Sequence, residues 1–276
     1  MTTTPPAPTL TAATDADPCP RVEVLITPMP VDVDEITIYR SWKGQRQVVR
    51  GASRAEVAGD YLVIDYEVPL GVPVSYTSVG YDVSGVPSQE STSSTVTVNT
   101  DDVWIQDPLD PTTALQVRVS RTSVTEGIEI IGESILPASY QATMTVQPVI
   151  GSAYPVGMAS VRRAVSRAPL SFIAWSPTDA ETLRTLLMQT FPLCVRTPAA
   201  IPQLGGLTYF ALPEFVESPY PGWTATLFTS TGDSVRPPGS GIVIQPRTYA
   251  DLPAEAATYA GLLALYPTYV DVKRGL

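Results

Sequence analysis

The feature that most constrains this chain is a series of short runs rich in Val, Ile, Thr and Tyr, separated by turn residues. Apolar and polar side chains alternate within the runs, as they do in strands with one buried face. Six or seven runs in about eighty residues, at a spacing of about ten, predict an antiparallel two-sheet sandwich. The runs are Arg21–Thr27, Glu35–Trp42, Gln47–Arg50, Tyr61–Glu67, Val72–Val79 and Thr95–Val98.

One stretch of this region carries a more specific signal. The segment Val74–Ser88 (VSYTSVGYDVSGVPS) resembles the strand, turn and serine with which fibronectin type III domains end. We therefore expect residues 21–99 to form an immunoglobulin-like or fibronectin type III-like β-sandwich. The resemblance implies that Tyr76 is a core or corner tyrosine, and that Trp42 or Tyr39 faces the opposite sheet.

The segments that flank this predicted sandwich differ from it in composition. Residues 1–20 are mainly Thr, Pro and Ala and have few large apolar groups to offset the entropy cost of ordering, so they predict a flexible arm. Residues 100–114 contain paired acids and two Asp-Pro steps, and they predict a linker because proline cannot donate to a β-ladder. Within the linker, we interpret Trp104 and Ile105 as the side chains that dock it onto a domain.

Residues 115–247 predict a second β-rich domain, a sandwich or a barrel, with one or two helices. The chain is therefore expected to be mainly β throughout. Strand-like runs in this second domain are Leu115–Ser120, Gln141–Val149, Leu170–Trp175, Leu193–Arg196, Leu207–Val216, Trp223–Phe228 and Ile242–Gln245.

One helix is predicted within this second domain, over residues 179–190 (DAETLRTLLMQT). Thr178 and Glu181 have the spacing of a capping box at its start, and Pro192 ends it. The residues that fall on one face of this helix are Leu183, Leu186, Leu187 and Thr190.

The last segment, residues 248–276, contains a short repeat with a ten-residue period. Ten residues on a continuous helix rotate by about 1000°, so the tyrosines of the repeat would not share a face. The pattern instead predicts short helical turns that restart at each threonine. The repeats are Thr248–Leu252, Thr258–Leu262 and Thr268–Val272.

The residue inventory argues against catalysis. The chain has no histidine, which excludes Ser-His-Asp and Cys-His nucleophiles and His-ligated zinc. Its two cysteines, Cys19 and Cys194, are too few for a thiolate zinc site or a disulfide framework. No GxSxG elbow, phosphate loop, GxGxxG or CxxC motif is present. We therefore predict that the protein is not an enzyme and uses no cofactor.

The acidic residues leave one chemical alternative open. They form two clusters, and either could hold a hard cation such as calcium. The spacing in both is unlike an EF-hand loop, and solvated surface acids are the interpretation that we favour, so no metal site is predicted. The clusters are Asp32, Asp34 and Glu35, and Asp101, Asp102, Asp107 and Asp110.

The charge distribution excludes two classes of partner. The net charge is −10, and residues 1–103 carry 14 acidic against 6 basic side chains. Nucleic acids and anionic membranes bind clustered Lys and Arg, so neither is an expected partner. The uncharged run Pro137–Val161 is interrupted by prolines and glutamines and is not a membrane-spanning helix. The first residues lack the basic and apolar regions of a secretory signal.

The linker carries the most distinctive resemblance. The segment Trp104–Pro111 (WIQDPLDP) resembles the W-[IL]-x-D-P-x-x-P stretch of minor tail proteins from long-tailed phages of actinobacteria. In those proteins it also follows a fibronectin-like module with a recurring pattern. Leu170–Pro198 and the terminal repeat are similar to the ring-forming domain of tail proteins. The fibronectin-like pattern lies here at Ile38–Arg40, Gly44, Val49–Ala52, Asp65–Pro69 and Gly71–Tyr76.

This resemblance implies a virion structural protein, a minor tail protein near the distal end of the tail. Distal tail proteins typically form a six-fold ring that joins the tail tube to the tip or baseplate hub. The expected partners are further copies of this chain, the tail tube protein, hub and tip proteins and the tape measure protein. The expected location is the virion, after assembly in the host cytoplasm. A mean hydropathy of +0.10 suits apolar surface that neighbouring subunits cover.

Several residues are candidate contacts between subunits. The basic cluster in VRRAVSR could meet an acidic face of a neighbour, for example the amino-terminal module of an adjacent copy, although a solvated hairpin edge remains the simpler alternative. The candidates are Trp104, Asp107 and Pro108 in the linker, Arg162, Arg163 and Arg167 in the basic cluster, and Tyr249, Tyr259 and Tyr269 in the repeat.

A second function stays open at this point, an adhesion or carbohydrate-binding module at the tail tip. Trp42, Trp175 and Trp223 could stack on sugar rings. Each lies in a strand pattern, which favours core packing instead.

Overall fold

A computed structural model of the chain describes residues 2–119, 126–131, 139–140, 144–147, 150, 156–159, 165–201, 204–220, 224–241, 261 and 264. The chain divides into two compact units, and both are discontinuous in sequence. Unit 1 comprises residues 1–99, 108–114 and 238–276, and unit 2 comprises residues 100–107 and 115–237. The described residues are mainly β, as the sequence predicts.

The described residues of unit 1 form eight strands in two antiparallel sheets. They are β1 Thr9–Ala13, β2 Arg21–Ile26, β3 Glu35–Trp42, β4 Gln45–Val48, β5 Ala55–Glu56, β6 Tyr61–Asp65, β7 Pro73–Tyr81 and β8 Ser94–Thr97. One sheet has the order β1-β2-β6, and the other has the order β4-β3-β7-β8 with β5 beside β3. In β2 and β7 buried side chains alternate with more exposed ones, so each of these strands turns one face toward a core.

The first strand is where unit 1 departs from the predicted organisation. A flexible arm is predicted for residues 1–20, but Thr9–Ala13 forms β1 and pairs along its length with β2. None of its side chains is fully buried, so the strand has no apolar alternation that a sequence pattern could reveal. Its ladder of backbone hydrogen bonds to β2 holds it in place.

Unit 2 contains a closed barrel. Its strands are β9 Val103–Gln106, β10 Leu115–Val119, β11 Ile128–Ile130, β12 Ser139–Tyr140, β13 Met144–Gln147, β14 Val156–Ala159, β15 Val165–Ser166, β16 Ala168–Ala174, β17 Leu193–Arg196, β18 Leu207–Ala211, β19 Phe215–Pro219 and β20 Thr226–Val235. Seven of them follow the order β16-β11-β10-β9-β17-β18-β20, and pairing of β20 with β16 completes the ring. β10 and β11 are parallel, and the other neighbours in the ring are antiparallel.

The barrel core is apolar and includes one face of a helix. Inward side chains from the ring strands, such as Phe172, Phe210 and Phe228, are almost fully buried. The helix α1, Pro177–Gln189, adds further apolar side chains to the same core. They are Ala180, Leu183, Leu186 and Leu187, and the three leucines are those that the helical pattern predicts.

The start of α1 differs from the prediction by two residues. Ser176 is the N-cap: its Oγ accepts a hydrogen bond from the Asp179 amide at 3.1 Å and lies 2.6 Å from the Asp179 carboxylate. The box is therefore Ser176 with Asp179, and the predicted pair Thr178 with Glu181 is wrong. The fixed φ of Pro177 suits the first helical position, so the helix begins there.

The predicted linker is also divided differently. Val103–Gln106 forms β9, paired with β10 and β17 in the barrel wall, whereas residues 108–114 belong to unit 1. Acidic residues and prolines lie on both sides of this four-residue strand but not within it. The composition of the whole segment therefore predicts a linker, although its middle forms a strand. Unit 2 ends at residue 237 rather than 247. The run Ile242–Gln245 lies outside the described residues, as does the repeat apart from Gly261.

Candidate assembly interface

A buried group of charged side chains occupies unit 1. Arg40 on β3 contacts two carboxylates, with its Nη1 2.5 Å from Asp65 Oδ1 and its Nη2 3.5 Å from Glu67 Oε2. Tyr76 on β7 donates its hydroxyl to Asp65 Oδ2 at 2.8 Å. All four residues are less than 5% exposed. Buried charges are tolerated only when they are paired, and here each carboxylate has a cationic or hydroxyl partner.

A second arginine extends this group to a distant part of the chain. Arg50 donates its Nε to Glu67 and its Nη1 to the carbonyl oxygen of Gly239 at 2.8 Å. The neighbouring amide of Gly51 donates to the carbonyl oxygen of Ser240 at 3.0 Å. The segment that follows β20 is therefore fixed to unit 1 by side-chain and backbone hydrogen bonds.

The charged group coincides with the fibronectin-like sequence pattern. The members Arg40, Arg50, Asp65, Glu67 and Tyr76 all lie in the segments that carry that resemblance. Burial, with Asp65 beside it, raises the pKa of Tyr76 well above its ordinary value. A buried and mutually paired group of this kind offers no open position for a substrate, so the pattern marks a structural requirement of unit 1.

The predicted linker contacts lie mostly inside the protein. Trp104 is 4% exposed and sits on β9 opposite Gln116 and Arg196. Pro108 is buried, and Asp107 is half-buried. A side chain this buried cannot touch a neighbouring copy, so Trp104 and Pro108 are corrected from interface candidates to interior residues. The interpretation of Trp104 as a docking side chain agrees with its burial.

The basic cluster is described at one position. Arg167 lies between β15 and β16 with its side chain exposed, and its amide donates to Asp233 Oδ1 at 2.9 Å. Its backbone φ of 50° is in the left-handed region, which is uncommon for a residue with a side chain. The other candidate contacts lie outside the described residues: Arg162, Arg163, Tyr249, Tyr259 and Tyr269.

The first acidic cluster lies partly in a surface groove. Asp34 and Glu35 line this groove, whose volume is about 540 Å³, but Glu35 is paired with Arg54 at 2.6 Å. Asp32 accepts a hydrogen bond from the Thr3 amide at 2.8 Å, and that bond lowers the pKa of Asp32. In the part of the chain that the structure describes, no three His, Cys, Asp or Glu side chains are placed to hold a metal ion.

The second acidic cluster is occupied by local hydrogen bonds. Asp102 accepts from Gln116 Nε2 at 2.6 Å. Asp110 caps the 3-10 turn Pro111–Thr113 by accepting from the Thr112 amide at 3.0 Å. These two carboxylates therefore accept hydrogen bonds from residues near the predicted linker.

Two strands of unit 2 expose apolar side chains that no sequence pattern singles out. β13 and β14 form an antiparallel pair that joins no other strand among the described residues. Val146 is 50% exposed, Met158 is 61% exposed and Ile150 is fully exposed. The signal was present in the uncharged run Pro137–Val161, which the sequence analysis used only to exclude a membrane helix.

A second exposed apolar patch lies at the carboxyl end of α1. Met188, in the last turn of α1, and Phe191, two residues after the last residue of α1, are both exposed. On an isolated molecule such side chains gain nothing from exposure, and exposed apolar groups that lie together mark contact surfaces.

The chain matches no protein-family model, no curated protein and no solved structure. Within the described ranges, no helix combines the length and the apolar character needed to cross a membrane. The case for a function therefore rests on the motifs of this chain and on the geometry of its units.

Proposed function

We propose that this protein is a virion structural protein, a minor tail protein that forms part of a ring at the distal end of a phage tail. The observation that carries the proposal is the exposed, uncharged pair β13–β14. The resemblance of the linker and of residues 170–198 to tail proteins suggests that the protein belongs to a phage tail. The exposed pair suggests that it assembles with other copies.

A two-stranded pair is marginally stable by itself in water. Proteins protect free strand edges with charged side chains, yet neither β13 nor β14, nor the chain between them, contains a charged residue. Such an edge is protected when another chain covers it. A neighbouring copy can do so either by extending the pair or by packing on one of its two faces, of which one carries Val146 and the other carries Met158.

A closed ring requires two different patches on each subunit, because each copy meets its neighbours through unlike surfaces. Unit 2 offers both. The β13–β14 pair is one, and the patch of Met188 and Phe191 at the end of α1 is the other. Two distinct apolar patches favour a ring over a dimer in which one patch meets itself.

The strand order of unit 1 supports the finer assignment of this unit as a fibronectin type III-like module. Three antiparallel strands in one sheet and five in the other, of which β5 has only two residues, suit that fold. The burial of Tyr76 agrees with the core position that the resemblance implies. In the proposed ring this module is the part that projects or docks on a neighbour.

The assembly is tested with the full chain by light scattering after size exclusion and by negative-stain electron microscopy. We expect rings from the wild type and monomers from the double variant Val146→Asp/Met158→Asp. Val31→Asp/Val83→Asp is the matched control, because it adds the same charge at two exposed valines of unit 1. Rings that survive the first double variant, or a wild type that stays monomeric, would contradict the proposal.

The place in the particle needs a separate experiment. Gold-labelled antibodies against the protein should bind the end of the tail in purified phage that carries the gene. Labelling confined to the head, or absent from the particle, would remove the tail assignment even if the isolated protein forms rings.

The burial of one candidate tryptophan reduces the number of residues that could stack on a sugar in the adhesion alternative. Trp42 is 3% exposed, so its ring cannot stack on a sugar. Trp223 lies outside the described residues. Trp175 is half-buried and remains available to that alternative.

A further inference from the structure

Two aromatic rings meet at a corner on unit 2. Trp175 follows β16 and Tyr220 follows β19, and both are half-buried. Their ring centroids are 5.9 Å apart and their planes are inclined by 71°. The backbone holds both in position, since the Trp175 amide donates to the carbonyl oxygen of Gly127 at 3.1 Å and the Tyr220 amide donates to that of Ala225 at 2.9 Å.

A buried carboxylate lies at this corner. Glu129 on β11 is 7% exposed, and its Oε2 accepts the indole N–H of Trp175 at 3.0 Å. Its neighbours Ile128 and Ile130 belong to the barrel core, so the Glu129 side chain points to the outer face of the wall. In the described structure Trp175 supplies the one hydrogen bond made to this carboxylate, which leaves Oε1 as an acceptor.

A cation lies beside the carboxylate in the register of the sheet. Arg118 on β10 is the direct partner of Glu129 in the parallel pairing, so both side chains leave the wall on the same face. The Arg118 side chain is exposed, and its Nη1 lies 3.5 Å from the carbonyl oxygen of Glu126. The corner therefore presents two rings, one acceptor and one set of donors.

From this arrangement we propose that Trp175, Tyr220, Glu129 and Arg118 form a subsite for a neutral pyranose ring. The C–H face of a sugar stacks on an aromatic plane, and its hydroxyls bind carboxylates as donors and guanidinium groups as acceptors. Apolar walls with a few placed polar groups are typical of small-ligand sites.

The charges at the corner select against the other ligand classes. An anion would be drawn to Arg118 but repelled by Glu129, and a cation would meet the reverse situation. A neutral polyol uses both groups at once. The proposal does not depend on ring assembly, because all four residues belong to a single copy of unit 2.

The test titrates the full chain with the methyl glycosides of glucose, galactose and N-acetylglucosamine, read by saturation-transfer NMR and calorimetry. We expect binding of at least one glycoside by the wild type. Trp175→Ala and Glu129→Gln should each weaken it about tenfold or more, since each removes a ring or a charged hydrogen-bond acceptor. Val83→Ala is the matched control, because it removes an exposed apolar side chain of unit 1, and it should bind as the wild type does.

Two results would overturn the subsite. One is a wild type that binds none of the three glycosides. The other is unchanged affinity in folded Trp175→Ala and Tyr220→Ala. Circular dichroism shows whether each variant is folded. If Trp175→Ala unfolds, Trp175→Phe replaces it in the test, because phenylalanine keeps an aromatic ring and removes the N–H that binds Glu129. Light scattering on the same samples separates loss of sugar binding from loss of assembly.

Discussion

The cores of the two units contain different side chains, although unit 2 also buries Arg196 and Glu129 outside its barrel core. In unit 1 a group of buried charges, centred on Arg40, Asp65 and Glu67, lies among the apolar side chains. In unit 2 the barrel core is formed by apolar side chains from the ring strands and from α1. An apolar core tolerates replacement by residues of similar volume, whereas a buried charge needs its partner at one place and at one distance.

This difference explains two sequence patterns, the fibronectin-like pattern of unit 1 and the leucine spacing of α1 in unit 2. Arg40, Asp65 and Glu67 need fixed positions because the arginine and its two carboxylate partners come from different parts of the chain. The leucine spacing of α1 needs only one apolar face. Unit 1 should therefore be sensitive to loss of a partner, and unit 2 to loss of volume.

The largest effect is expected from Arg40→Met in unit 1. It leaves Asp65 and Glu67 buried without their shared cation, and it should lower the free energy of unfolding of this unit by about 3–5 kcal/mol. Hydrogen exchange of the unit 1 strands measures the effect separately from unit 2. Arg46→Met is the control, since that arginine is exposed and stacks on Tyr39. A loss no larger than in this control would show that the charges do not hold unit 1.

The matching change in unit 2 is Leu183→Ala. It leaves a cavity in the barrel core and should cost about 2–5 kcal/mol, without any change in charge. Met188→Ala on the same helix removes an exposed side chain and should cost less than about 0.5 kcal/mol. Denaturant unfolding followed by exchange at β11 and β16 compares the two. Equal stability of both variants would mean that α1 is not part of the core.

A smaller effect tests the start of α1. Ser176→Ala removes the acceptor for the Asp179 amide and should destabilise unit 2 by about 0.5–2 kcal/mol. Thr178→Ala, at the position that the sequence predicts as the cap, is the control and should change thermal stability little. The reverse ranking of the two variants would restore the predicted box.

The smallest effect concerns pH. Hydrogen bonding to Arg184 lowers the pKa of Glu217, so the folded state binds fewer protons than the unfolded state in acid. The pair therefore adds stability above the ordinary carboxyl pKa, and this stability is lost as the pH falls through the lowered value. Glu217→Gln should flatten the fall of the melting temperature in acid, and the exposed Glu214→Gln should not. Parallel curves for Glu217→Gln and the wild type would contradict this pairing.

Two strands with a strong local pattern are predictable from sequence to the residue, and others, such as β2 and β7, to within one or two residues. β3 and β17 have the predicted bounds, and the turn Lys43-Gly44 joins β3 to β4 with positive φ at both positions. Closure of the barrel was not predictable in this way. It depends on pairing such as Phe172 with Phe228, which are far apart in sequence and carry no local sign of each other.

The candidate sites show the same limit. Arg40, Asp65 and Glu67 are visible in the sequence only as parts of a motif, because nothing in a linear sequence shows that their side chains meet. The sequence allows two roles for Trp104, docking of a linker and contact with a neighbouring copy, since an aromatic residue in a polar segment has the same appearance in both; in the structure it lies in a barrel strand. Glu129 was missed because its partner Trp175 follows a different strand.

The interleaving of the two units has a consequence for how such a gene can be cut or recombined. β9 precedes the segment 108–114 that belongs to unit 1, and residues 238–241 return to unit 1 after the barrel. A fragment that starts at residue 115 lacks the barrel strand β9. A fragment that stops at residue 99 lacks the carbonyl oxygens to which Arg50 donates. A single crossover between related genes would build at least one unit from segments of two different parents, so the contacts between those segments would have to match for the product to fold.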